Sequence, residues 1–229
     1  MIQIAQLPFL VSVQQIQNEV LLLSNEWRPH FNRKHYEGGW TVLSLRSPAG
    51  EAEQIIPDIR EEQEYADTIL MDHCPVIKRL LEELRCPKMA VRLMNLKPGA
   101  VIKEHRDHDL AYEKGEARLH FPVFTNPHVS FHVNGEKVKM DEGECWYVNV
   151  NLPHKVANNG VSDRIHLVVD VVVNEWVKSL FAQGQVVEVV LNPQDDQTGN
   201  IIRELRIQNT EITNRLADDL ERKLNTTGM

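Results

Sequence analysis

Residues 129–140 read VSFHVNGEKVKM. Val129, Phe131 and Val133 alternate with polar neighbours, and the alternation resumes after Asn134-Gly135 at Val138 and Met140. Asn-Gly between two period-two runs is the strongest short hairpin signal, because both central residues of a tight hairpin turn take positive φ. The same period extends outward. Upstream lie 89–96 (MAVRLMNL), a Lys97-Pro98-Gly99 turn, and 117–124 (ARLHFPVF). Downstream lie 144–151 (ECWYVNVN) and 163–173 (DRIHLVVDVVV). Short alternating runs, with turn signals roughly every 8–12 residues and no helical spacing between them, predict an antiparallel sandwich or barrel.

The flanks differ. In 13–25, Val13, Ile16, Val20 and Leu23 make one apolar helix stripe. Segment 27–50 is rich in aromatic, Gly and basic residues and ends in the strand-like WTVLSLRS of 40–47. Segment 61–86 reads as helix, with Leu70, Ile77, Leu80, Leu81 and Leu84 on one face and Pro75 as a break. From about residue 175 the pattern returns to helix. Ile201, Leu205, Ile212, Leu216, Leu220 and Leu224 form one apolar line, which predicts packing on the chain's own domain or a homodimer contact. The expected organisation is a main domain over 1–175 and a C-terminal helical extension over 176–229.

The chain has 229 residues, 42% hydrophobic and 25% charged, so it can bury a core. Its net charge of -8 argues against a nucleic-acid coat, whose affinity rests on Lys and Arg. No stretch approaches the ~18 apolar residues of a membrane span. The N-terminal segment lacks a basic region and a small-residue cleavage site, so it does not read as a secretory signal. Cys74, Cys86 and Cys145 are odd in number and widely spaced, which suggests neither a disulfide framework nor a zinc ribbon. A cytoplasmic setting is expected.

Chemistry concentrates in IKEHRDHD, residues 102–109. A mononuclear iron oxygenase needs two imidazoles and one carboxylate on one face of the metal, with the opposite face open. His105 and Asp107 share a face if the segment is extended, while Arg106 and His108 fall to the other side. His154, behind Pro153 and ahead of Asn158-Asn159-Gly160, is the candidate for the distal third ligand. Arg164 opens an apolar strand and Arg118 sits in another; a planar guanidinium there needs a carboxylate partner. An HxD step alone is commonly a surface ion cluster. Joined to a distant His and an Arg on alternating strands, it points to a metal site.

The segments RLHFPVFTNP (118–127), GECWYVNVNLPHKVANNG (143–160) and DRIHLVVD (163–170) resemble the aspartyl/asparaginyl β-hydroxylase family, whose bacterial members include relatives of proline hydroxylases. The resemblance runs over roughly residues 20–175. It implies a mainly β, double-stranded β-helix (jelly-roll, cupin-like) core with flanking helices, and a dioxygenase using Fe(II), 2-oxoglutarate and dioxygen. It implies iron on His105, Asp107 and His154, Arg164 on the distal carboxylate of 2-oxoglutarate, and Arg118 on 2-oxoglutarate or its hydrogen-bond shell. The reaction it implies hydroxylates an unactivated C–H of a free amino acid such as proline, or of a peptide residue, releasing succinate and CO2. The animal aspartyl hydroxylases lack a carboxylate at the position of Asp107, which moves the expected substrate away from Asp or Asn in EGF-like domains.

His120 shares a face with Arg118, and His166 with Arg164; each reads equally as a pocket residue or a satisfied core histidine. In HYEGGWTVLSLRS (35–47), His35, Trp40 and Arg46 are the expected substrate contacts, with a loop packed over the barrel end as the competing reading. The partners expected are a small molecule or peptide, without nucleic acid or membrane. Two other classes use the same residues: a cupin-like metal module or zinc hydrolase, which has no use for Arg164, and a non-catalytic sensor acting through the helical tail.

Overall fold

The computed structural model describes residues 1–23, 26–31, 33–55, 64–107, 110–190 and 193–226. The elements run β1 (Ile2–Leu7), α1 (Val13–Leu22), β2 (Arg28–Pro29), β3 (Tyr36–Glu37), β4 (Trp40–Pro48), β5 (Tyr65–Asp67), α2 (Pro75–Glu83), β6 (Lys88–Leu96) and β7 (Val101–His105). They continue with β8 (Glu116–Phe124), β9 (Val129–Val133), β10 (Glu136–Val138), β11 (Cys145–Val148), β12 (His154–Asn158), β13 (Arg164–Val172), α3 (Glu175–Ala182), β14 (Gln185–Glu188), α4 (Pro193–Gln208) and α5 (Glu211–Thr226).

The hairpin read from VSFHVNGEKVKM is β9–β10, with Asn134 and Gly135 at φ 49° and 82°. From β6 to β13 the chain crosses between two antiparallel sheets at nearly every turn. The larger sheet holds β11-β8-β13-β6 in that order; the smaller holds β10-β9-β12-β7. That winding is the jelly roll, or double-stranded β-helix. Strands β1 and β14 extend the larger sheet beyond β11, β4 and β2 extend it beyond β6, and β3 joins the smaller sheet at β7.

Parity sorts the central strands. On β13, Ile165, Leu167, Val169 and Val171 pack into the same apolar cluster as Ile16 and Val20 of α1, Ile77 and Leu80 of α2, and Val177 and Phe181 of α3. Ala117, Leu119, Phe121 and Val123 of β8 and Val91 and Leu93 of β6 join them. A second apolar cluster, including Leu96, Ile102, Phe131, Val133, Val150, Leu152 and Val156, fills the space between the sheets. The alternate residues of the three central strands turn towards that space and include Arg92, Arg118, His120, Arg164, His166 and Asp170, all buried. The inner face of a sandwich is ordinarily apolar, and here it carries buried charged and polar groups.

Within 61–86 the helical break does fall at Pro75, between a 3-10 turn at Ile69–His73 and α2. Pro75 opens α2 at the first turn, where its missing N–H costs nothing, and Glu19 of α1 accepts from Val76 N (2.6 Å) and Ile77 N (3.0 Å) to cap that end. Two expectations are corrected. Tyr65–Asp67 is a strand on β4, and residues 61–63 lie outside the described residues. The tail from 176 is not wholly helical, because β14 pairs with β1 and α3 packs into the main core. The extension proper is the α4–α5 pair. It reverses at Asn209 (φ 47°), and Thr210 and Thr213 cap each other's N–H groups. The pair meets through Ile202, Ala217, Leu205 and Leu220, whereas Ile201, Ile212 and Leu216 of the expected apolar line are exposed. The side chain of Leu224 lies outside the described residues.

Asn158 fastens the two sheets. It is fully buried at the end of β12 and donates Nδ2 to Leu96 O of β6 (2.9 Å) and to Ser162 O (2.8 Å). Its Oδ1 accepts from Asn126 Nδ2 (3.1 Å) and Gly160 N (3.2 Å). Asn158→Ala leaves these groups buried and unpaired. It is expected to lower unfolding free energy by about 2–3 kcal/mol in urea denaturation; a loss within experimental error of zero would show that the fastening is not there.

Candidate metal centre

His105 is the last residue of β7 and His154 the first of β12, and the two stand directly opposite in the antiparallel ladder. Their rings lie 4.2 Å apart, centroid to centroid. Asp107 follows β7, tied by its N–H to Val150 O at 2.8 Å. One ligand atom from each of His105, Asp107 and His154 falls within 4.8 Å of the others.

The backbone settles the tautomers. His105 Nδ1 lies 2.8 Å from Lys103 O, and His154 Nδ1 lies 3.1 Å from Leu152 O. A carbonyl oxygen only accepts, so each Nδ1 carries the proton and each Nε2 keeps its lone pair for a metal. Burial, and then the neighbouring His105, push His154 down to about 4, which keeps it neutral near pH 7. Burial opposes ionisation of Asp107, but Arg118 and the two histidines outweigh it and hold the carboxyl well below the usual carboxylate range. Asp107 Oδ1 faces His105 Nε2 at 3.7 Å while Oδ2 accepts from Arg118 Nη1 at 2.9 Å. Two imidazoles and one carboxylate form the three-ligand face expected for non-haem Fe(II).

Arg164 lies at the start of β13, 4% exposed. Its Nη2 donates to His166 Nδ1 at 2.9 Å, and the guanidinium stands 5.7 Å from the centre of the Phe131 ring. Among the described residues no carboxylate pairs with it, and its Nε has no partner. Burial alone drives its pKa down to about 9. Beside it is His120, both ring nitrogens buried and without partners, its pKa lowered by burial and then by Arg164. The His120 and His166 rings are 5.8 Å apart. A buried guanidinium and an unsatisfied imidazole next to a ligand cluster fit an anionic, oxygen-rich cosubstrate.

The other expected contacts divide. His35 stands beside the cluster, its ring 5.1 Å from His105; burial and then His105 lower its pKa. Trp40 is buried and stacks on His30 at 3.5 Å, so it supports that imidazole. Arg46 is not at the site. It donates to Asp67 Oδ1 (2.7 Å) and Tyr65 O (2.5 Å), where β4 meets β5, because a bulge between Ser44 and Arg46 shifts its register. Arg118 does not reach towards Arg164: its Nε and Nη2 hold Asp170 and its Nη1 holds Asp107. Arg106 donates to Asn151 O at 3.1 Å, and His108 and Asp109 lie outside the described residues.

Sequence reasoning missed His30, Arg92 and Asp170. His30 is buried, pushed down to about 3 by burial and then by Arg92, with Asp107, His105 and Arg118 among its electrostatic neighbours. Nothing in its local sequence announces this. Arg92 and Asp170 carried a usable signal: each is a charged residue in an otherwise apolar strand, at the parity of Arg118 or Arg164.

The model of the aspartyl/asparaginyl beta-hydroxylase family matches residues 11–173. The chain is 25% identical over 170 residues to an L-proline cis-4-hydroxylase of Rhizobium meliloti (strain 1021), covering 72% of this chain and 60% of that protein. It therefore spans less than two thirds of the relative's length. Similar solved structures include a Pseudomonas putida prolyl-4-hydroxylase, at TM-score 0.46, 13% identity, 76% of this chain and 94% of that one. Another is a 2OG-Fe(II) oxygenase-family oxidoreductase from Burkholderia pseudomallei, at TM-score 0.41, 14% identity, 58% of this chain and 67% of that one. With the family model spanning most of its length, the chain belongs to the aspartyl/asparaginyl beta-hydroxylase family.

Proposed function

We propose that the chain is an Fe(II)- and 2-oxoglutarate-dependent hydroxylase of an amino acid, with L-proline, the substrate in its relative's name, as the first compound to test. One observation carries the reading. Arg164, a buried guanidinium without a carboxylate partner among the described residues, shares the space between the sheets with the His105, Asp107 and His154 cluster. A buried charge without a counter-charge is disfavoured by several kcal/mol, and a dicarboxylate cosubstrate supplies the missing partner. A zinc hydrolase or a bare metal module has no need of it.

Each residue then has a task. His105 and His154 present Nε2 because their Nδ1–H groups are held by their own strands. Asp107 offers Oδ1 while Arg118 holds Oδ2. Arg164 grips the distal carboxylate of the cosubstrate, oriented by neutral His166, which accepts its Nη2–H without adding charge. His120 supplies the remaining hydrogen bond on that side. His35, half-buried beside His105, stands where substrate approaches. Held by these residues, Fe(II) would supply dioxygen activation, with dioxygen as the oxidant and 2-oxoglutarate as the co-reductant: cleavage to succinate and CO2 would place one oxygen atom in succinate and the other in the substrate.

The deciding experiment is Fe(II)-dependent succinate release across L-proline, other free amino acids and short peptides. Absence of such release from every substrate would sink the proposal. His154→Ala is expected to lose metal binding and succinate release together; retention of both would refute the ligand assignment. Arg164→Met is expected to bind metal normally but to weaken 2-oxoglutarate binding roughly 30- to 1000-fold, by isothermal titration, from loss of a buried charge-assisted contact. In the same variant, with no cosubstrate present, removing the unpaired charge is expected to raise unfolding free energy by about 1–4 kcal/mol. An Arg164→Met protein that binds 2-oxoglutarate like the parent chain would remove the clamp from the mechanism.

A further inference from the structure

Asp170 belongs to no ligand set, yet its carboxylate lies between two guanidiniums. Its Oδ1 accepts from Arg118 Nε at 2.7 Å, and its Oδ2 from Arg118 Nη2 at 3.0 Å and Arg92 Nη2 at 2.6 Å. Arg118 turns its other arm, Nη1, to Asp107 Oδ2 at 2.9 Å. The side chains of Arg92, Arg118 and Asp170 are 4%, 8% and 3% exposed, against 41% for Asp107. A buried relay thus ends on the most exposed of its four members, which is also the carboxylate of the proposed metal centre.

We propose that Asp170 is a positioning residue for that centre: by occupying one edge of Arg118, it restricts Arg118 to a single hydrogen bond with Asp107 and leaves Asp107 Oδ1 for the metal. The inference rests on the metal-centre reading above. Its physical basis is the shape of arginine. A guanidinium offers a flat fork that pairs two-to-two with a carboxylate. Without Asp170, the Nε/Nη2 edge of Arg118 is free to rotate onto Asp107, engage both oxygens and compete with the metal. Asp170 takes that edge through two hydrogen bonds and fixes the plane, so only Nη1 points to Asp107. Charge acts in the same direction. Arg92 and Arg118 are balanced by Asp170 and Asp107, and neutralising Asp170 leaves an excess positive charge beside the divalent ion. Arg92 serves as the outer brace, since its Nη2 holds the Asp170 oxygen that Arg118 Nη2 also uses.

The test titrates metal-free protein with Co(II), reading affinity and the d–d absorption of the bound ion, which reports the ligand field and does not require turnover. Asp170→Asn, checked for native far-UV circular dichroism, is expected to bind Co(II) about 10- to 100-fold more weakly, with an altered d–d spectrum. Should Asp170→Asn not fold, Arg92→Met/Asp170→Asn carries the test, because it removes one buried charge of each sign while still freeing the Arg118 edge. The same weakened affinity and altered spectrum are expected of it. Parental affinity with a parental spectrum, in whichever variant folds, overturns the role of Asp170. If the parent chain binds no Co(II), or His154→Ala binds it equally well, the metal-centre reading itself fails, and the two failures are told apart.

Discussion

Strand β13 lies between β6 and β8, with helices behind it and the smaller sheet in front, so it has almost no face towards water. A strand in that position must divide its residues strictly by parity. Ile165, Leu167, Val169 and Val171 supply the oil on one side; Arg164, His166 and Asp170 supply the polar groups on the other. Slipping the register by one residue would drive two charges and an imidazole into the helix-facing core. The apolar penalty for that error, rather than any interaction among the polar groups, holds Arg164 and Asp170 in place.

The interior so formed is electrostatically economical. Arg92, Arg118, Asp170 and Asp107 neutralise one another through hydrogen bonds of 2.6–3.0 Å. Two histidines beside them are shifted towards the neutral form, His30 to about 3 and His154 to about 4, with burial the leading cause. Arg164 stands apart as the member without a counter-charge among the described residues. Two regions of one interior therefore follow different rules: one is balanced within the chain, and the other has no counter-charge among the described residues.

Much of this was legible in the sequence, for identifiable reasons. The β9–β10 hairpin could be read because Asn134-Gly135 is local chemistry. Parity placed His105 and Asp107 on one side of an extended segment, and they do converge with His154. That His154 begins a strand opposite His105 was not legible, because β12 is short and follows a Pro-containing turn. Strand β14 was missed because its pairing partner is β1, at the far end of the chain. The need of Arg118 for a carboxylate was legible, but not that Asp170 fills it, because Asp170 is distant in sequence and meets Arg118 only through the pairing of β13 with β8. Arg46 failed for a different reason: its partners Asp67 and Tyr65 lie on β5, a short strand whose pairing with β4 leaves no mark in the local sequence.

His154 and Arg164 belong to different sheets, yet they are the two ends of one short crossover, and Asn158 anchors that crossover to β6 midway. Gly160 within it has no room for a Cβ, which would stand 2.2 Å from Asn126 Oδ1. The separation between His154 and Arg164 is thus set by a stretch of backbone anchored through Asn158. Under the proposed function, a dicarboxylate held between the metal and Arg164 would be matched to that span, so a change in preferred cosubstrate length would call for resizing this crossover.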